Sequence, residues 1–86
     1  MDAPTMIYSP RQLANHLKLI RTKHQLTQAE LAQRVGLKQA TLSNFENNPD
    51  TTQLKTLFKI IQALGVKIEI HDQIPPMQQQ DNEEVW

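Results

Sequence analysis

Gln39, Ala40, Ser43, Asn44 and Asn47 recur at spacings of one, three and four residues, so a helix through this stretch gathers them on one face. None of them is acidic. Glutamine and asparagine amides can pair bidentately with adenine, and the Ala40 methyl can touch a thymine methyl. A merely solvated helix face is more usually laced with Lys and Glu pairs. Lys38 precedes the stretch, within reach of a phosphate or a guanine edge. Upstream, Thr27 and Gln28 open another helix, whose free N–H groups and positive dipole end suit a phosphate. The residue types therefore assign base contacts to Lys38, Gln39, Ala40, Ser43 and Asn44, and backbone contacts to Thr27, Gln28 and Asn47.

Catalytic chemistry finds no comparable set. His16, His24 and His71 lack the i, i+4 spacing that brings two imidazoles together on a helix. Ser9 and Ser43 have no plausible base and orienting acid beside them. Glu69 and Asp72, near His71, are not enclosed by anything. Glu30 is taken up by a helix cap, and Glu46 is expected to pair with a nearby arginine. With no cysteine there is no thiolate nucleophile, disulfide or Cys-based zinc site, and two glycines are too few for a phosphate-cradling loop. The chain reads as a non-enzyme that needs neither metal nor cofactor.

Four helices position these residues. Ser9-Pro10 starts the first, at about 10–23, because serine accepts from free N–H groups and proline at the first helical position loses nothing. Leu13, Leu17 and Ile20 form its apolar stripe, opposite Arg11, Lys18 and Thr22. Thr27-Gln28-Ala29-Glu30 is a capping box that begins the second helix. That helix continues through Leu31 and Val35 to Gly36, which suits a left-handed position. The third runs from Gln39 to about Asn47, with Leu42 and Phe45 inward, and Pro49 forbids its continuation. Asp50 or Thr51 is the expected cap of the fourth. Its stripe is Leu54, Leu57, Phe58, Ile61 and Leu64, and Gly65 closes it. The second and third helices, joined by a three-residue Gly-containing turn, make a helix-turn-helix over 27–46.

Val66-Lys67-Ile68-Glu69-Ile70 alternates apolar and charged residues, the pattern of a half-buried strand. A lone strand has unpaired backbone on both edges, and pairing with the same strand of a second copy resolves this in a symmetric dimer. Val66, Ile68 and Ile70 would close that dimer. The alternative is an extended segment lying along its own helices. From Pro75-Pro76 onward, glutamine-rich and acidic composition without periodicity reads as disorder.

The chain has 86 residues, 38% hydrophobic and 5% aromatic, which allows one small core and no second. It divides into an arm at 1–8, a helix-turn-helix and dimerisation domain at 9–70, and an acidic tail at 71–86. Its net charge of zero is uneven: residues 1–70 carry all nine Lys and Arg and a net +4, and residues 71–86 carry −4. A basic globule with an acidic tail is common among polyanion binders and chains that bind a second protein. No apolar run reaches the length of a membrane span and no signal segment is evident, so a soluble cytoplasmic domain is expected.

The stretch TQAELAQRVGLKQATLSNFE, with its Thr-Gln start, resembles the lambda-repressor-like, Cro/C1-type helix-turn-helix family over about residues 10–65. Gln25-Leu26 stands where that family is expected to have a glycine-aromatic pair. IYSPRQLANHLKLIR, LKQATLSNFENNPDTTQLKTLFKIIQAL and the terminal Trp86 resemble the HipB-type antitoxins over about residues 7–70. The resemblance implies an all-α fold: a compact four-helix domain with one C-terminal β-strand paired across a homodimer, then a disordered tail. It also implies repression of the chain's own operon at inverted-repeat operators, and binding of a HipA-type Ser/Thr kinase toxin. By the same resemblance Gln28 meets the DNA backbone, and Lys38, Gln39, Ala40 and Ser43 meet the operator. Residues 66–70 close the dimer. Association with the nucleoid when DNA-bound follows.

Trp86, the single tryptophan, sits beside Val85 in the acidic segment, away from every apolar stripe. One indole ring can desolvate a large area, so Val85-Trp86 is expected to dock into a pocket on the toxin. Two other readings stand beside the antitoxin: a free-standing repressor of the same fold, and a helical adaptor that binds protein only and has no duplex affinity.

Overall fold

In the computed structural model, residues 5–72 and Ile74 are described. Val85, Trp86 and the expected disorder from Pro75 onward lie outside them. Helix α1 spans Pro10–Lys23, α2 Gln28–Val35, α3 Gln39–Asn47 and α4 Leu54–Leu64, with a 3-10 turn at Pro49–Thr51. The first three helices agree with the sequence expectation at both ends.

Local chemistry sets these ends. The Ser9 hydroxyl accepts from the Gln12 N–H at 3.0 Å, with Pro10 at the first helical position. In the capping box, the Glu30 N–H donates to the Thr27 hydroxyl at 3.0 Å and the Thr27 N–H donates to the Glu30 carboxylate at 2.8 Å. Helices α2 and α4 close through left-handed glycines, Gly36 at φ 72° and Gly65 at φ 71°. Behind each, a backbone N–H reaches back across the last turn, Leu37 to the Ala32 carbonyl at 2.9 Å and Val66 to Ile61 at 3.0 Å. Helix α1 ends by the same motif, with Leu26 donating to the Arg21 carbonyl at 3.1 Å. Here the left-handed residue is Gln25, at φ 61°.

The start of α4 corrects the sequence expectation. Neither Asp50 nor Thr51 caps it. The chain after Pro49 closes a 3-10 turn, with the Thr52 N–H donating to the Pro49 carbonyl at 3.0 Å, and the Thr51 hydroxyl is engaged by Asn44 and the Asn48 carbonyl. The helix therefore begins two to three residues later, with Gln53 at its N-cap and no side-chain cap.

Ala14, Leu17, Leu31, Ala32, Leu42, Phe45, Ile60 and Ile61 form the core, with Leu13, Ile20, Leu37, Leu57, Ala63, Leu64 and Val66 packed around it. Helix α3 packs on α1 and α2, and α4 packs on α1 and α2. The expected stripe of α4 is only partly the buried one. Ile60, absent from that stripe, is buried, whereas Leu54 and Phe58 are 70% and 47% exposed. Apolar residues on α4 cover more arc than one buried face needs, and the surplus forms an outward strip.

Residues 66–70 form no helix, and no strand is assigned among the described residues. Val66 rests against the core, while Ile68 and Ile70 stand exposed. The alternation of the sequence is thus not matched by alternating burial in the single chain: past Val66, residues 67–70 are all exposed.

Candidate nucleic-acid interface

The turn at Gly36 places α3 across α2 and leaves its outer face open. Lys38, Gln39, Ala40, Asn44 and Asn47 are exposed and Ser43 is half-buried, while Leu42 and Phe45 anchor the opposite side. Lys38 is the N-cap residue and gives no side-chain cap, so the first turn of α3 presents backbone N–H groups beside the lysine. The Asn47 amide donates to the Ser43 hydroxyl at 3.2 Å, which leaves that hydroxyl its own proton to donate. The Asn44 amide donates to the Thr51 hydroxyl at 3.3 Å, tying one of its two donors to the 3-10 turn. All five base-contact candidates thus share one face, with Asn44 the most engaged of them.

Thr27 and Gln28 sit at the start of α2. The Thr27 hydroxyl already accepts from Glu30 within the capping box. Gln28 is half-buried, and its amide nitrogen donates to the Glu46 carboxylate at 2.9 Å.

That bond belongs to a buried cluster beneath the face. Arg21 Nε donates to Glu46 Oε2 at 2.7 Å and its Nη2 to Oε1 at 3.0 Å, a forked pairing in which both residues are buried. Arg21 Nη1 also donates to the Leu26 carbonyl at 2.6 Å. From the start of α1, Arg11 donates to the carbonyl of Asn47 at 2.9 Å, where the negative end of the α3 dipole lies. Burial pushes the Glu46 carboxyl up, but bonds from Arg21 and Gln28 and the charges of Arg21 and Lys18 outweigh it, and the net direction is down. Glu30 is also held below its ordinary value, by the Thr27 N–H first, then the Thr27 hydroxyl, with a contribution from the Arg34 charge. The sequence expectation that Glu46 pairs with an arginine holds. Neither Arg21 nor Arg11 was singled out as its partner or as the helix clasp. A buried acid on the otherwise acid-free third helix was the available signal.

Among the described residues no group of three His, Asp or Glu gathers as a metal site, and none of their helices is long and apolar enough to cross a membrane. Among the described residues, His71 meets Glu69 at 3.1 Å, with both side chains exposed.

A small polar helix face held across a second helix defines the helix-turn-helix class, and the family model described as helix-turn-helix matches residues 17–70. Finer matches exist. Antitoxin HipB of Escherichia coli strain K12 is 58% identical over 66 residues, covering 77% of this chain and 75% of that protein. Two solved structures, a HipA-HipB-O2-O3 complex and a HipB-O4 20mer complex, each match with a TM-score of 0.77 at 54% identity, covering 81% of this chain and 99% of theirs. The chain belongs to the HipB antitoxin family of Cro/C1-type helix-turn-helix proteins, a family of DNA-binding proteins rather than enzymes.

Proposed function

We propose that this chain is an antitoxin that neutralises a HipA-type kinase toxin and, as a dimer, represses its own operon by binding palindromic operator DNA. The observation that carries the reading is the outer face of α3: small, acid-free, polar, and flanked by Lys38 at an uncapped helix start. Relatives at 54% identity have been solved with HipA and with operator DNA, which supports both partners. Lys38, Gln39, Ala40, Ser43 and Asn44 read bases, and Thr27, Gln28 and Asn47 hold the DNA backbone. Val66, Ile68 and Ile70 close the dimer, and Val85 with Trp86 engages the toxin. The protein acts in the cytoplasm, at the nucleoid when DNA-bound.

Selection from random duplex DNA, followed by binding of the winner across a salt series, tests this. A palindromic winner with a steep negative salt slope is expected of a dimeric sequence-specific repressor. No enrichment at low salt would leave the helix-turn-helix a protein-binding adaptor. Copurification with a larger kinase-like partner, with and without Val85-Trp86, separates an antitoxin from a free-standing repressor.

A further inference from the structure

We infer that Glu46 is a positioning residue for DNA binding: paired with Arg21, it holds the Gln28 amide with its nitrogen inward, so that one nitrogen serves both the protein and a DNA phosphate. The inference rests on the proposed backbone contact of Gln28. A free glutamine presents its amide nitrogen or its amide oxygen with little preference, and only the nitrogen can donate to a phosphate. Glu46 removes that choice. Its ionised oxygens accept and never donate, so the group 2.9 Å from Oε1 must be the amide nitrogen. That nitrogen carries two N–H groups; one is given to Glu46 and the second is left to donate. The half-buried position of Gln28 at the first residue of α2 keeps this second donor beside the positive end of the helix.

An acid so near the proposed DNA surface would ordinarily repel a phosphate. Here the forked contact from Arg21, at 2.7 and 3.0 Å, offsets its charge, and the Leu26 carbonyl fixes the guanidinium from behind. The cluster therefore joins α1, the start of α2 and the end of α3 into one preset contact, and leaves Gln28 less rotational freedom to lose on binding.

The test is a double-mutant cycle on operator affinity in the full-length chain, using the duplex recovered by selection. Gln28→Met keeps length and helix preference but cannot donate, and Glu46→Gln removes the fixed acceptor. Each single change is expected to weaken binding about tenfold, the worth of one hydrogen bond to a charged group, and the double variant to be no weaker than the weaker single. Thermal melts run in parallel separate stability from affinity, since a merely structural Glu46 would weaken binding equally in both backgrounds. Losses that multiply to about a hundredfold, or a Gln28→Met chain that binds as well as the parent, would overturn the inference. Should Glu46→Gln fail to fold, the side-chain amide of Gln28 in the unaltered protein decides by NMR. One proton protected from exchange in the free chain, and the other shifted by the duplex, is expected; equal exchange of both overturns it. An unaltered chain that binds no duplex at all removes the functional reading and this inference with it.

Discussion

Gln39 and Ser43 stand one turn apart on the outer side of α3, and among the described residues neither has its donors committed to the fold: Gln39 is exposed, and Ser43 accepts from Asn47 while keeping its own proton. Replacing either with alanine is expected to cost about 1–3 kcal/mol on the selected duplex and little on random DNA. Anisotropy titrations on both duplexes measure the difference, and equal losses would show that these side chains do not read bases. Glu46 answers to acid instead. Its folded-state value lies below the ordinary 4.5, so the stability it contributes is present above that value and is lost as the pH falls through the folded one. The denaturation midpoint of the parent is expected to drop as the pH is taken down through the ordinary 4.5 and on through the lower folded-state value. Glu46→Gln should start lower at pH 6, by about 3–5 kcal/mol for a broken buried pair, and decline less steeply. Glu30 shifts in the same direction and leaves the variant some residual slope.

Three helix ends, those of α1, α2 and α4, are built by one device: a left-handed residue and a backbone N–H that reaches back across the final turn. Two of them use glycine and one uses Gln25, and a side chain in that region costs roughly 1–2 kcal/mol. Gln25→Gly is expected to raise stability by up to about 1 kcal/mol, because the strain it relieves exceeds the entropy glycine adds to the unfolded chain. Chemical denaturation checks the sign, and a loss of stability would show that the Gln25 side chain earns its place by a contact. Such ends were legible wherever the signal is local. Ser9, the Thr27–Glu30 box, Gly36 and Gly65 each act within a few residues of themselves, and the sequence places them where the structure has them. Even the departure at Gln25-Leu26 was visible, although the positive φ that favours glycine there was not. What stayed hidden depends on tertiary contact. Arg21 and Glu46 are separated by 25 positions, and nothing local links them. The start of α4 moved because the Thr51 hydroxyl is used by α3 and the 3-10 turn, a competition that capping preference cannot anticipate. Ile60 was overlooked since α4 carries two apolar faces, and periodicity alone does not say which one the core takes. Which side of α3 faces outward was readable because its opposite side, Leu42 and Phe45, fixes the rotation of that helix.

At the scale of the molecule, the core leaves apolar residues exposed in both halves: Met6, Ile7, Tyr8 and Leu19 in the first, and a second group in the C-terminal half. Leu54 and Phe58 lie on α4, and Ile68 and Ile70 follow on the segment after it, where Ile70 is 92% exposed. Large apolar side chains on a backbone that forms no helix or strand are costly to leave in water, and a second copy of the same segment would satisfy both the side chains and the open hydrogen-bonding groups. Such pairing also bears on DNA affinity. On the proposed function, one α3 face would read one half-site and two faces held by a symmetric interface would read two, so the second contact would become intramolecular and gain an avidity of about 10²–10⁴. Ile68→Lys places a charge on the exposed apolar side of this segment without touching the four-helix core, to which Ile68 does not belong. Sedimentation is expected to show a monomer whose helical content and core stability are retained. Operator affinity should fall by two or more orders of magnitude, while affinity for a single half-site stays within a few-fold of the parent's. An intact dimer would place the self-association elsewhere, and a monomer that keeps full operator affinity would mean that one helix-turn-helix suffices. The salt slope supplies the last distinction, since a chain that meets DNA alone neutralises about half the phosphates of a pair and should show about half the slope.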